Sequence, residues 1–148
     1  MLLKPNPTNS CFGCGAANPR GMQLTFEQDD ASRSIRGAFR LGAEYQGSAS
    51  FVHGGIIATV LDEAMGKVNR FRAVRAVTAE LTVEYIKPVP IDADLLVEAH
   101  ELNKKGRSMY YVGEIRNSAG DLLARSRGRF VEIGPSKSAA DATTSVAQ

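Results

Sequence analysis

The chain has 148 residues and a mass of 15.9 kDa, the size of one domain, and its 43% hydrophobic residues suffice for a sizeable core. A net charge of +2 and a pI near 8.6 are too mild for a nucleic-acid binder, and no apolar run nears the roughly 18 residues of a membrane span. The opening residues lack a hydrophobic signal core and two cysteines cannot build a disulfide framework, so the expected setting is cytoplasmic and reducing, with neither nucleic acid nor membrane as partner.

Residues 1–20 are dense in turn formers (Pro5, Asn6, Pro7, Asn9, Gly13, Gly15, Asn18, Pro19) and read as an irregular arm. A folded domain is expected over 21–133, followed by a small, polar and disordered tail over 134–148. Within the domain, strands are expected near 22–27 and 34–39. A loop rich in Gly, Ala, Ser and Gln then leads into one helix from about Gly54 to Asn69. Four more strands follow at 76–86, 95–102, 108–116 and 122–133, separated by turns at Pro88–Pro90, Lys104–Gly106 and Asn117–Gly120. Val77, Ala79, Leu81, Val83 and Tyr85 alternate with Thr78, Glu80, Thr82 and Glu84, which predicts one buried and one wet face for that strand. One helix among six strands with short late turns defines an α+β domain whose mainly antiparallel sheet wraps the helix. Part of the sheet is left uncovered, which favours an oligomer.

Along the helix, Ile56, Ile57, Val60, Leu61, Ala64, Met65 and Val68 form one apolar stripe. Asp62 lies off that stripe, and its helical neighbours Ala58, Thr59 and Gly66 are all small. An ordinary wet face would carry long polar side chains there, so Asp62 is open to close approach by a substrate or a second subunit. Helix geometry alone leaves it equally a solvated residue. Glu63 has Lys67 four residues on and reads as half of a surface ion pair. Gly54 and Gly55 stand at the helix start, where backbone amides lack intrahelical partners and can meet an oxyanion. The glycines equally serve the turn into the helix; His53 is a candidate catalytic residue, although a lone histidine more often caps or packs.

Cys11 and Cys14 form a lone Cys-x-x-Cys. A structural zinc site normally has four ligands and no second pair exists here, although two subunits together supply four thiolates. A redox role would place the motif at a helix start after a strand, a context missing here.

His53-Gly54-Gly55 with Asp62 nine residues after the histidine resembles the signature of hotdog-fold acyl-CoA thioesterases of the PaaI-like branch. The run Cys11-Phe12-Gly13-Cys14-Gly15 through Met22 and the run from Ala76 to Val89 are similar to further segments of that family, so the likeness covers residues 11–133. The resemblance implies a hotdog fold, one long central helix wrapped by a six-stranded antiparallel sheet. It also implies a homodimer, or a homotetramer of such dimers, with active sites at the subunit interface. In it Asp62 would be general base or nucleophile on an acyl- or aroyl-CoA, and the Gly54 amide would be the oxyanion site. Thr78 of the partner subunit's strand would hold water or carboxylate. Members place a polar residue in the preceding loop to orient the thioester; the matching position is Gly47, and the role passes to Gln46 beside it.

Thioesters are electrophilic and thiolates leave readily, so a base and an oxyanion site suffice and neither metal nor cofactor is expected beyond the substrate's own coenzyme A. Gly55 would bind substrate at the helix start, and the phosphates would be met by Lys104, Lys105 and Arg107 at a turn, or by Arg125, Arg127 and Arg129, which share one strand face. That arginine row equally pairs with Glu80, Glu84, Glu98 or Glu114 across strands. The competing function is a non-catalytic acyl-CoA-binding hotdog protein, from which Asp62 separates the hydrolase. A hotdog hydratase is disfavoured, because its Asp and His pair is not found here.

Overall fold

The computed structural model describes residues 1–137. Six strands form one antiparallel sheet: β1 (Glu27–Asp29), β2 (Ser34–Phe39), β3 (Val74–Tyr85), β4 (Leu95–Lys105), β5 (Ser108–Asn117) and β6 (Leu122–Pro135). Their spatial order is β1-β2-β4-β5-β6-β3, which leaves the long strand β3 at one edge. The helix α1 (Gly54–Lys67) packs against the middle strands and β3.

Helix and sheet meet through the expected stripe. Ile57, Val60, Leu61, Ala64, Met65 and Val68 are buried, and Ile56 is half-buried. From the sheet come Ile35, Val97, Ala99, Met109, Tyr111, Ile115 and Phe130, so β2, β4, β5 and β6 give their inward-facing residues to one core. At Gly128 a Cβ would stand 2.7 Å from the Phe130 ring and 3.2 Å from Met65 Cε. Only glycine lets the helix settle so close to β6. Deep in this core the Tyr111 hydroxyl donates to Asn69 Oδ1 at 2.6 Å, joining the end of the helical segment to β5. The helix continues as a 3-10 turn, Val68–Arg72, and stops at Ala73, whose left-handed φ of 52° turns the chain into β3.

The structure corrects three expectations. The strand expected at 22–27 is only the short β1, because Gln23 adopts a left-handed φ of 51° that no ladder accommodates. Residues Met22 and Leu24 instead donate to Phe12 and Gly13 of the arm. In β3 the alternation changes phase: Thr78 pairs with Phe130 and Glu80 with Arg129, so Ala79 is an extra, bulged residue. Val74, Ala76 and Thr78 face the helix before the bulge, and Leu81, Val83 and Tyr85 after it, while Val77 is 50% exposed. Finally, Glu63 is not simply half of a surface pair with Lys67: Cys11 Sγ donates to Glu63 Oε1 at 3.1 Å and Lys67 Nζ donates to Cys14 Sγ at 3.0 Å. The irregular arm is thereby docked onto the helix. Strand β6 runs to Pro135, past the expected domain end, and residues 138–148 of the tail lie outside the described residues.

Candidate active site

Asp62 is half-buried between α1 and β3, on the helix side lined by Ala58, Thr59 and Gly66. The Thr78 hydroxyl donates to its Oδ1 at 2.7 Å, leaving Oδ2 for another partner. Burial raises the carboxyl above the usual aspartate range; the Thr78 bond opposes that rise and the Glu63 charge adds to it. A carboxylate held this way is a stronger base than a free one and is fixed in direction. The sequence resemblance assigned Thr78 to a partner subunit, whereas both residues here belong to one chain, sixteen residues apart.

At the helix start His53 is the cap. Its Nδ1 accepts from the Gly55 amide at 2.9 Å, which places the ring proton on Nε2. Ile56 and Ile57 donate to the His53 carbonyl. The Gly55 amide is thus occupied, while among the described residues the exposed Gly54 amide has no acceptor. Tyr85 donates from its hydroxyl to the Gly54 carbonyl at 2.7 Å and ties this end of the helix to β3. Sequence reasoning missed Tyr85, whose alternation with Val83 was read only as a buried face. Gln46 is exposed and bridges Val52, beside Gly47, where a Cβ would come within 3.0 Å of His53 Cα.

Asp62 lies eight residues beyond Gly54, about 12 Å along the helix at ~1.5 Å per residue. One chain therefore does not bring its own carboxylate to its own free amide.

The basic residues fall into three groups. Lys104 Nζ lies 3.7 Å from the Glu132 carboxylate, and Arg107 donates twice to the Glu132 carbonyl, at 2.8 and 3.2 Å. Both fasten the β4–β5 turn to β6, and Lys105 is exposed beside them. The arginine row lies on the sheet face away from the helix, with Arg125 bonded to Glu84 at 2.8 Å and Arg129 at 3.9 Å from Glu80. Arg127 stands between them on the same face, apart from Asp62. The third group was not found from sequence. A cavity of about 570 Å³, one turn beyond Asp62, is lined by Gly66, Lys67, Arg70, Arg75 and Ala76 among others.

Residues 49–124 match the profile of the Thioesterase superfamily. The chain is 26% identical over 116 residues to acyl-coenzyme A thioesterase THEM4 of Xenopus laevis, covering 78% of this chain and 52% of that protein. It spans about half the length of the curated relatives that it first matches. A solved thioesterase superfamily protein superposes with a TM-score of 0.77 at 29% identity, covering 82% of this chain and 60% of that one. The fold also matches that of smu.793 from Streptococcus mutans, solved bound to acetyl CoA, with a TM-score of 0.68 at 20% identity, covering 76% and 87% of the two chains. This chain belongs to the thioesterase superfamily and has its hotdog fold: one long helix against a six-stranded antiparallel sheet. Among the described residues, no helix is long and apolar enough to cross a membrane.

Proposed function

We propose that the chain is an acyl-CoA thioesterase that hydrolyses an acyl- or aroyl-CoA. The observation that carries this reading is the Thr78 hydroxyl bonded to Asp62 Oδ1 at 2.7 Å on a helix face of small residues. Thr78 fixes one carboxylate oxygen, and the other takes a proton from water as that water attacks the thioester carbonyl. The tetrahedral oxyanion forms against the free Gly54 amide at a helix start, and its collapse expels the coenzyme A thiolate. The thiolate takes up the proton held by Asp62, which restores the base, and a carboxylic acid is the second product.

The separation of about 12 Å between these groups requires two copies. Strand β3 is a twelve-residue edge with one side of its backbone unpaired, a ready template for a second strand. Antiparallel pairing along β3 by a two-fold axis lays two helices side by side in opposite directions, so Asp62 of one protomer meets the partner subunit's helix start. Arg75 and Arg70, the latter donating to Gln28 at 3.1 Å, line the cavity one turn beyond Asp62. They suit the phosphates of coenzyme A better than Lys104 and Arg107, which fasten the β4–β5 turn to β6. The chemistry needs no metal. Relatives named acyl-coenzyme A thioesterase and a structural neighbour solved with acetyl CoA support this substrate class. The reading includes a reducing, cytoplasmic setting, in keeping with two free cysteines.

Thiol release from a panel of CoA thioesters tests it, with Asp62→Ala as control. Removal of the base should lower turnover by about 10²–10⁴-fold. If wild type and Asp62→Ala both bind CoA esters and neither hydrolyses any, the protein is a binder and the hydrolase reading falls.

A further inference from the structure

The Cys-x-x-Cys of the arm meets the residue after Asp62, and Glu63 touches the chemistry above only through its charge on Asp62. The Cys11 and Cys14 sulfurs and a Glu63 carboxylate oxygen all lie within 4.8 Å of one another. We propose that Cys11, Cys14 and Glu63 bind a divalent transition metal of the zinc type, which clamps the arm onto helix α1.

Tetrahedral zinc with Zn–S near 2.3 Å and Zn–O near 2.1 Å sets its donor atoms about 3.5–3.8 Å apart, so the observed cluster needs a contraction of at most about 1 Å. Cys11 Sγ and Glu63 Oε1 already stand closer than that, at 3.1 Å. The loop is built to present both sulfurs on one side. The Gly15 amide donates to the Cys11 carbonyl at 2.9 Å, closing a tight turn, and Asn9 Oδ1 accepts from the Cys11 amide at 2.9 Å. A Cβ at Gly15 would stand 2.4 Å from the Asn9 carbonyl, and a Cβ at Gly13 would stand 2.2 Å from Glu63 Cγ. Both positions require glycine for the turn to lie against the carboxylate.

Charge fits as well. Two thiolates and a carboxylate carry three negative charges, and a divalent ion with Lys67, whose ammonium lies 3.0 Å from Cys14 Sγ, supplies three positive ones. Binding displaces the thiol protons, Cys11's now resting against Glu63, so the half-buried cluster stays neutral with the ion in place. Two soft sulfurs with one oxygen select zinc over magnesium or calcium. The fourth position is left to solvent. A second Cys-x-x-Cys is therefore not needed, because the helix supplies the third ligand.

Cobalt titration of the full chain, stripped of metal by a chelator under reducing conditions, tests the site. One equivalent of Co²⁺ per chain should give a thiolate-to-cobalt charge-transfer band and intense visible bands of a tetrahedral ion, all removed by adding Zn²⁺. Cys11→Ser and Cys14→Ser should abolish the charge-transfer band. Glu63→Gln, which retains an acceptor for the Cys11 thiol, should weaken zinc binding by at least about tenfold. Absence of the band in the wild-type chain overturns the proposal, as does a band that persists in Cys11→Ser, or Glu63→Gln binding zinc as tightly as wild type. A Cys11–Cys14 disulfide that forms in air despite added zinc also overturns it. None of these readouts depends on thioester hydrolysis, so the site stands or falls apart from the proposed activity.

Discussion

The Thr78 hydroxyl reaches Asp62 Oδ1 because strand β3 slips by one residue immediately after it. Without the bulge at Ala79, a strand that faces Leu81, Val83 and Tyr85 toward the helix would turn Thr78 outward. The extra residue lets one strand aim Thr78 at the carboxylate and Tyr85 at the helix start, some seven residues apart, on the same face.

Thr78→Ala should lower kcat by about ten- to a hundredfold, since a hydrogen bond to a charged group contributes about 1.5–3 kcal/mol. Thr78→Ser keeps the hydroxyl and should retain most of the turnover. Thr78 is exposed in the single chain, so size-exclusion profiles of both variants should match wild type. Loss of the oligomer in Thr78→Ala would reject a role in turnover.

The bulge also marks the limit of what the sequence discloses. The stripe from Ile57 to Val68 is legible because helical spacing repeats with a period of 3.6 and every member is apolar. The strands from Leu95 onward are legible because turn residues bracket them. A bulge leaves no such mark: Val77 and Ala79 look as buriable as Leu81, and only the register against β6 shifts them. Glu63 fails for a related reason. Its local partner Lys67 is visible four residues on, whereas Cys11 is fifty-two residues away and meets it only once the arm has folded back. The small-residue face around Asp62 is legible because Ala58, Thr59 and Gly66 follow from helical spacing, and its separation from Gly54 follows from the rise of a helix.

Core stability should respond to the Tyr111–Asn69 bond. Tyr111→Phe strands a buried acceptor on Asn69 at a cost of about 1–3 kcal/mol. At about 2–4 °C per kcal/mol for a domain of this size, calorimetry should register a fall in Tm of roughly 2–12 °C. Adding Asn69→Leu removes the orphan and should recover part of the loss. A double variant less stable than the two single losses combined would show that the bond is not what binds these elements.

Phosphate recognition separates the basic groups. Charge reversal of Arg70 and Arg75 together should raise KM for a CoA thioester by about tenfold or more, because each charged contact is worth roughly 1.5–3 kcal/mol. The same variant should treat an acyl-pantetheine as wild type does. Lys105→Glu should alter neither KM by more than about twofold, as an exposed charge in salt contributes little. A large effect at Lys105 with none at Arg70 and Arg75 would move the phosphate site to the β4–β5 turn.

Gly54→Pro deletes the free amide and little else. Proline is tolerated at the first helical position, and His53, at φ −59° and ψ 135°, already has the extended backbone that a following proline demands. The helix should therefore form and Tyr85 should still find the residue 54 carbonyl, while kcat falls by about 10²–10³-fold for want of one oxyanion donor. If each site joins Asp62 of one protomer to the amide of the other, Gly54→Pro and Asp62→Ala impair different halves of the same site. Refolding the two inactive variants together in equal amounts yields mixed dimers in which one site carries both lesions and the other carries neither. Such a mixture should recover about a quarter of wild-type activity. A site built within one chain would give no recovery, since every chain in the mixture carries a lesion.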